Sequence, residues 1–197
     1  MAIQKVKCTI KGVAPLLMHC GRLADPFYEY TQELKKATDA NKGRNKTEDG
    51  TLRVAELEYQ GGLYFDDKLG PVIPADNLVA MTIEGAPRGS GVLFKAAVYS
   101  EEDAFKLDYD GPRTRAALWK DARFRDYRNA TIGQSKVMRM RPKFKQWGCS
   151  FALNVNTDIV DIDLVEGAIA KAGLVKGIGD WTPRHGRFEV VEFAKMN

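Results

Sequence analysis

Histidine is scarce in this 197-residue chain, which holds only His19 and His185. Cysteine is little commoner: Cys8, Cys20 and Cys149 are scattered, and no two stand at C-x-x-C spacing. That spacing argues against a zinc centre and predicts small buried thiols. No metal and no cofactor is expected. The chain has no P-loop, no H-E-x-x-H run and no G-x-S-x-G elbow, which removes three common signatures of enzyme chemistry. No apolar run is long enough to span a bilayer, and the opening MAIQKVKCTIKG has no apolar signal segment. The expectation is a cytoplasmic protein with no membrane partner.

What is present is ordinary in amount and uneven in placement. Hydrophobic residues make up 44% and charged residues 28%, as in a folded protein. The length fits one domain, 1–197, with insertions. The formal net charge is only +4. Yet residues 113–145 hold eleven Lys or Arg against Asp121 and Asp126, a formal +9, which leaves about −5 elsewhere. Such asymmetry speaks to partners more than to fold.

Periodicity gives the organisation. Residues 3–11 alternate Val6, Cys8 and Ile10 with Lys5, Lys7, Thr9 and Lys11, a half-buried strand. Asp25-Pro26 predicts a helix start, with Asp as N-cap and Pro at the first position. A polar loop, NKGRNKTEDG, and a second helix, TLRVAELEYQ, follow. A short hairpin is expected over 63–73, a helix over 76–86 and a strand over 92–99. Another strand is expected over 147–156, a helix over 161–176 and a last strand over 187–193. Without the insertions at 20–62 (helical) and 108–146 (basic), the order is β-α-β-β-α-β. That predicts an α+β fold with a ferredoxin-like, RRM-like core. Its open sheet face would expose Lys5, Lys7, Lys11, Asn154, Asn156 and Arg187, the face that RNA-recognition domains of this topology use.

Two segments carry candidate binding residues. The helix-to-strand loop GIGDWTPRHGR combines backbone freedom with Arg184, His185 and Arg187, which suits close approach to an extended anion. The basic segment interleaves Arg123, Arg125 and Arg128 with Trp119 and Tyr127, rings able to stack on unpaired bases. In SKVMRMRPKFK, which also carries Lys136, the alternation of Arg139, Arg141, Lys143 and Lys145 places four cations on one strand face. Like charges in that arrangement call for an anion.

These features resemble the RAMP superfamily, above all the CRISPR effector backbone subunit that polymerises along guide RNA. The resemblance rests on G-x-x-P-L-L (Gly12, Pro15, Leu16, Leu17), on I-P-A-x-x-L (Ile73, Pro74, Ala75, Leu78) and on the loop GIGDWTPRHGRFEV. The basic insertion sits where those subunits carry a protruding thumb. The pattern G-x-G-D-W-x-P-R-x-G-R-F-E-V is also similar to proteins encoded by bacteriophages and prophages, which implies the bacterial host cytoplasm. The expected function is sequence-tolerant binding of single-stranded DNA or RNA by a homo-oligomer or filament, without enzyme activity. Three alternatives stand beside it: a phage particle assembly component, a modulator of host CRISPR complexes, and an RNA-processing endonuclease built on His19 with Tyr28 and Tyr30.

Overall fold

The computed structural model describes residues 2–132 and 135–196. The first half runs β1 (Ile3–Gly12), β2 (Leu16–Leu17), α1 (Glu29–Ala40), α2 (Glu48–Gly62), β3 (Phe65–Asp66), β4 (Gly70–Pro74), α3 (Ala75–Gly85) and α4 (Gly91–Ala97). The second half runs β5 (Val98–Tyr99), β6 (Ala104–Asp108), α5 (Arg115–Lys120), β7 (Arg125–Ile132), β8 (Ser135–Phe144), β9 (Gly148–Asn156), α6 (Ile162–Val175) and β10 (Phe188–Lys195). The fold is α+β with antiparallel pairing. It divides into two compact units: residues 1–16, 66–110 and 145–197 form one, and residues 17–65 and 111–144 the other. The two segments expected as insertions account for most of the second unit.

In the first unit a sheet runs in the order β10-β1-β9-β6-β4-β3, and β5 pairs with β9 beside β6. Alternation decides which face is buried. Val6, Cys8 and Ile10 of β1 and Cys149, Phe151, Leu153 and Val155 of β9 are all shielded from water. Each fully buried Leu, Ile or Phe side chain contributes roughly 1.5–3 kcal/mol. On α6, Val165, Ala168, Ile169 and Ala172 recur at helical spacing and are buried, as are Leu78, Met81 and Thr82 of α3. The two helices lie side by side, with Lys171 Nζ donating to the Ala86 carbonyl (3.4 Å) and Lys176 paired to Glu84 (3.3 Å). A bulge between Thr9 and Ile10 shifts the register against β10.

Three expectations change here. Residues 92–99 are not one strand: Gly91–Ala97 is helical, because its buried residues, Phe94 and Ala97, stand three apart, a helical rather than an alternating interval. Only Val98 and Tyr99 remain extended, opposite Val155 and Asn154. Asn154 and Asn156, expected on an open face, are 4% and 8% exposed. Asp25 does not cap a helix. Its carboxylate accepts from the Phe27 amide (2.9 Å), closing a turn, and α1 begins at Glu29.

The second unit sets α1, α2 and α5 with the β7–β8 ribbon, which belongs to a three-stranded sheet in the order β2-β8-β7. Thr47 caps α2 by accepting from Gly50 (3.0 Å), and Thr114 caps α5 by accepting from Ala117 (3.3 Å).

Candidate nucleic-acid interface

The two units differ in charge. The second unit holds 17 Lys or Arg against 10 Asp or Glu, a formal +7, and the first holds 13 against 16, a formal −3.

The excess of the second unit is concentrated on the β7–β8 ribbon. Register places Asp126 opposite Arg141 and Arg128 opposite Arg139, so Arg128, Arg139, Arg141 and Lys143 share a face with Asp126. Lys145 lies beyond the end of β8 and is exposed. The anions that meet this stripe come from the chain itself. Arg128 grips Asp126 through Nε and through Nη2 (2.6 Å), and Lys143 Nζ donates to the same carboxylate (3.1 Å). Glu58, buried on α2, accepts from Arg139 Nη1 (3.0 Å) and from the Met140 amide (2.8 Å). Arg141 is itself buried. Burial pushes the Asp126 carboxyl upward, but hydrogen bonds and charge from Arg128 and Lys143 outweigh it and hold the group below the usual carboxylate range. Glu58 had a legible signal: it stands three residues after Ala55 on the buried side of its helix.

Other candidates of this unit are also engaged. Arg123 donates to Asp121 (2.7 and 2.9 Å), and those bonds depress the Asp121 carboxyl. Trp119 is half-buried against Tyr59, ring centroids 5.4 Å apart, with Arg125 stacked over it at 5.0 Å. Tyr127 is half-exposed. The side chain of Lys136 lies outside the described residues.

In the first unit the glycines of the C-terminal loop serve the loop's own closure. Gly177 and Gly186 take positive φ, 81° and 73°. A Cβ on Gly186 would run into the Ile178 carbonyl, and the Ile178 amide donates to the Gly186 carbonyl (2.9 Å). Tight self-packing therefore accounts for them without a ligand. His185 is buried inside this loop, and its amide donates to the Trp181 carbonyl (3.1 Å). Arg184 and Arg187, by contrast, are exposed.

The loop docks on two other stretches. Val13 and Ala14 amides donate to the Arg187 carbonyl (2.9 and 3.2 Å), and the Gly12 amide donates to the Trp147 carbonyl (2.8 Å). Trp147 is buried, with Nε1 donating to the Ala14 carbonyl (2.8 Å). These bonds bring Lys11, Lys145, Arg184 and Arg187 to one end of the sheet. All four are exposed, and none has an ion pair among the described residues. Glu189 stands opposite Lys11 in register without pairing to it. Lys5 and Lys7, further along β1, are paired to Glu101 (3.6 Å) and Glu192 (3.2 Å).

The residues considered for nuclease chemistry are His19, Tyr28 and Tyr30. Tyr28 is buried, with Arg22 over its ring at 4.2 Å, and Tyr30 lies 5.4 Å away under Arg115. Burial pushes the Tyr28 phenol upward. His19 is exposed, and its backbone carbonyl accepts from the Tyr64 hydroxyl (3.3 Å). Burial pushes the Cys8 and Cys149 thiols up to about 12, so both stay neutral core groups. Among the described residues, no cluster of three His, Cys, Asp or Glu could hold a metal ion. No family model and no curated protein sequence matches the chain.

Proposed function

We propose that the protein binds single-stranded nucleic acid without strong sequence preference and assembles along the strand as a homo-oligomer. The observation that carries this reading is the cluster Lys11, Lys145, Arg184 and Arg187 in the first unit. Three chain segments converge to place four exposed cations at one end of the sheet, and none of the four has an ion pair among the described residues. Holding like charges side by side in water is mildly unfavourable, and a phosphate backbone relieves that repulsion while releasing its own counterions. The formal +7 of the second unit adds long-range attraction for a polyanion.

The fold supports the same reading more coarsely. The strand neighbours β10-β1-β9-β5, with α3 and α6 between strands in the chain, support the reading of a ferredoxin-like core to which β6, β4 and β3 are added. With the G-x-x-P-L-L, I-P-A-x-x-L and glycine-loop motifs, it supports a RAMP-like assignment in which the β7–β8 ribbon plays the thumb. Fluorescence anisotropy with labelled single-stranded DNA, single-stranded RNA and duplex DNA tests the function. Binding of one or both single strands over duplex is expected. Absence of binding to all three at low salt overturns the proposal.

A further inference from the structure

In the second unit the N-terminal half of α2 and the β7–β8 ribbon enclose a groove of about 590 Å³. Ala55 and the more exposed Leu52 form one wall, and Tyr127 and Met140, paired in register, form the other. Such a volume falls within the range of about 300–1,000 Å³ typical of small-ligand sites. Leu52 and Tyr127 are 54% and 50% exposed, so the apolar part of the lining is open to solvent, and Lys46, Thr47, Glu48 and Thr51 line the rest.

The aromatic rings of the basic segment differ in what already occupies them. Trp119 is held by Tyr59 and Arg125, and Phe124 packs on Phe144 at 5.6 Å. Tyr127 makes no ring contact among the described residues. The cationic groups beside it are suited to a backbone rather than to a carboxylate of the chain. Lys46 lines the groove, as does Glu48. Arg125 lies two residues before Tyr127 on the same face, about 7 Å along the strand, and has no ion pair among the described residues.

We infer that this groove takes one unstacked base of a bound single strand, with Tyr127 stacking on its face and Met140 and Leu52 against its edge. This inference rests on the nucleic-acid reading above and assigns a base contact to it. A base suits the groove because it is flat, apolar on both faces and tethered to an anion. The +7 charge of this unit favours a polyanion over an apolar peptide or an acyl chain. Thioether sulfur also makes favourable contacts at aromatic edges. A base inside a duplex is stacked on both faces and cannot enter, so the groove discriminates for single strands.

The test compares the wild type, Tyr127→Ala and Tyr127→Phe on two labelled strands of equal length, one with bases and one an abasic sugar–phosphate chain. Base stacking predicts that Tyr127→Ala weakens binding of the base-bearing strand by about 5- to 150-fold. Tyr127→Phe should keep wild-type affinity, and all three proteins should bind the abasic strand alike. Wild-type affinity of Tyr127→Ala for the base-bearing strand overturns the inference while the nucleic-acid reading stands. So does a change in oligomeric state with unchanged affinity, which would assign the groove to a second copy of the chain. Failure of the wild type to bind either strand removes both readings.

Discussion

Replacing Asp126 by Asn tests whether the basic ribbon is held together by its own carboxylate. Asp126 is 8% exposed at its side chain, and it receives Arg128 and Lys143, which are 23% and 22% exposed. Arg141, directly opposite, is buried as well. An amide keeps the shape but removes the charge, leaving Arg128, Arg141 and Lys143 on this face without that carboxylate, beside Arg139, which Glu58 holds. Breaking a fully buried pair costs about 3–5 kcal/mol, and the partial exposure of the partners lowers this to about 2–3 kcal/mol. For a chain of this size that is a fall in Tm of about 4–12 °C. Circular dichroism melts at pH 7 read it directly. The pH dependence supplies a second check. The folded carboxyl is held below its unfolded value of about 3.9, so its contribution is fully present above that value. It is lost as pH falls through the lower folded value, so the Tm gap should start to close only below about pH 4 and disappear at still lower pH. The variant should also bind a single strand more tightly, since the freed cations can meet phosphate. A Tm within about 1 °C of wild type at pH 7 would show that Asp126 does not hold the ribbon.

Other outcomes follow from the same packing. Gly186→Ala must adopt a φ of 73° and push its Cβ into the Ile178 carbonyl, so a loss of at least about 2 kcal/mol is expected in a melt or denaturant titration. Unchanged stability would show that the loop has slack. Cys8 and Cys149, with thiols pushed up to about 12 by burial, should resist a thiol reagent at pH 8 in the native protein and react on unfolding in guanidinium. Rapid native labelling of either would contradict their place in the core.

The core was legible because its signals are local. The alternation in 3–11 and 147–156, and the helical spacing over 161–176, translate directly into β1, β9 and α6. The strand expected over 92–99 was misread because VLFKAAVY is apolar under either period. Burial of Phe94 and Ala97 by long-range packing settles it as a helix. The Asp25-Pro26 start failed because the Asp side chain closed a nearer turn instead. For the candidate site, sequence showed where the cations concentrate but not their counter-ions. Glu58 lies 81 residues before Arg139, and no local pattern joins them. The convergence of Lys11 with Lys145, Arg184 and Arg187 depends on sheet register, which one-dimensional periodicity does not contain.

The central claim is that unpaired surface cations, rather than the internally neutralised stripe, carry nucleic-acid binding. The most direct measurement is the salt dependence of single-strand affinity for wild type and for the variant Lys11→Ala, Lys145→Ala, Arg184→Ala, Arg187→Ala. Each phosphate contact contributes a slope of about −0.7 in log affinity against log salt, so loss of four contacts should flatten the wild-type slope by about 2.8. Stability should stay within about 1 kcal/mol, because all four side chains are exposed. Equal slopes and affinities in the two proteins would contradict the claim.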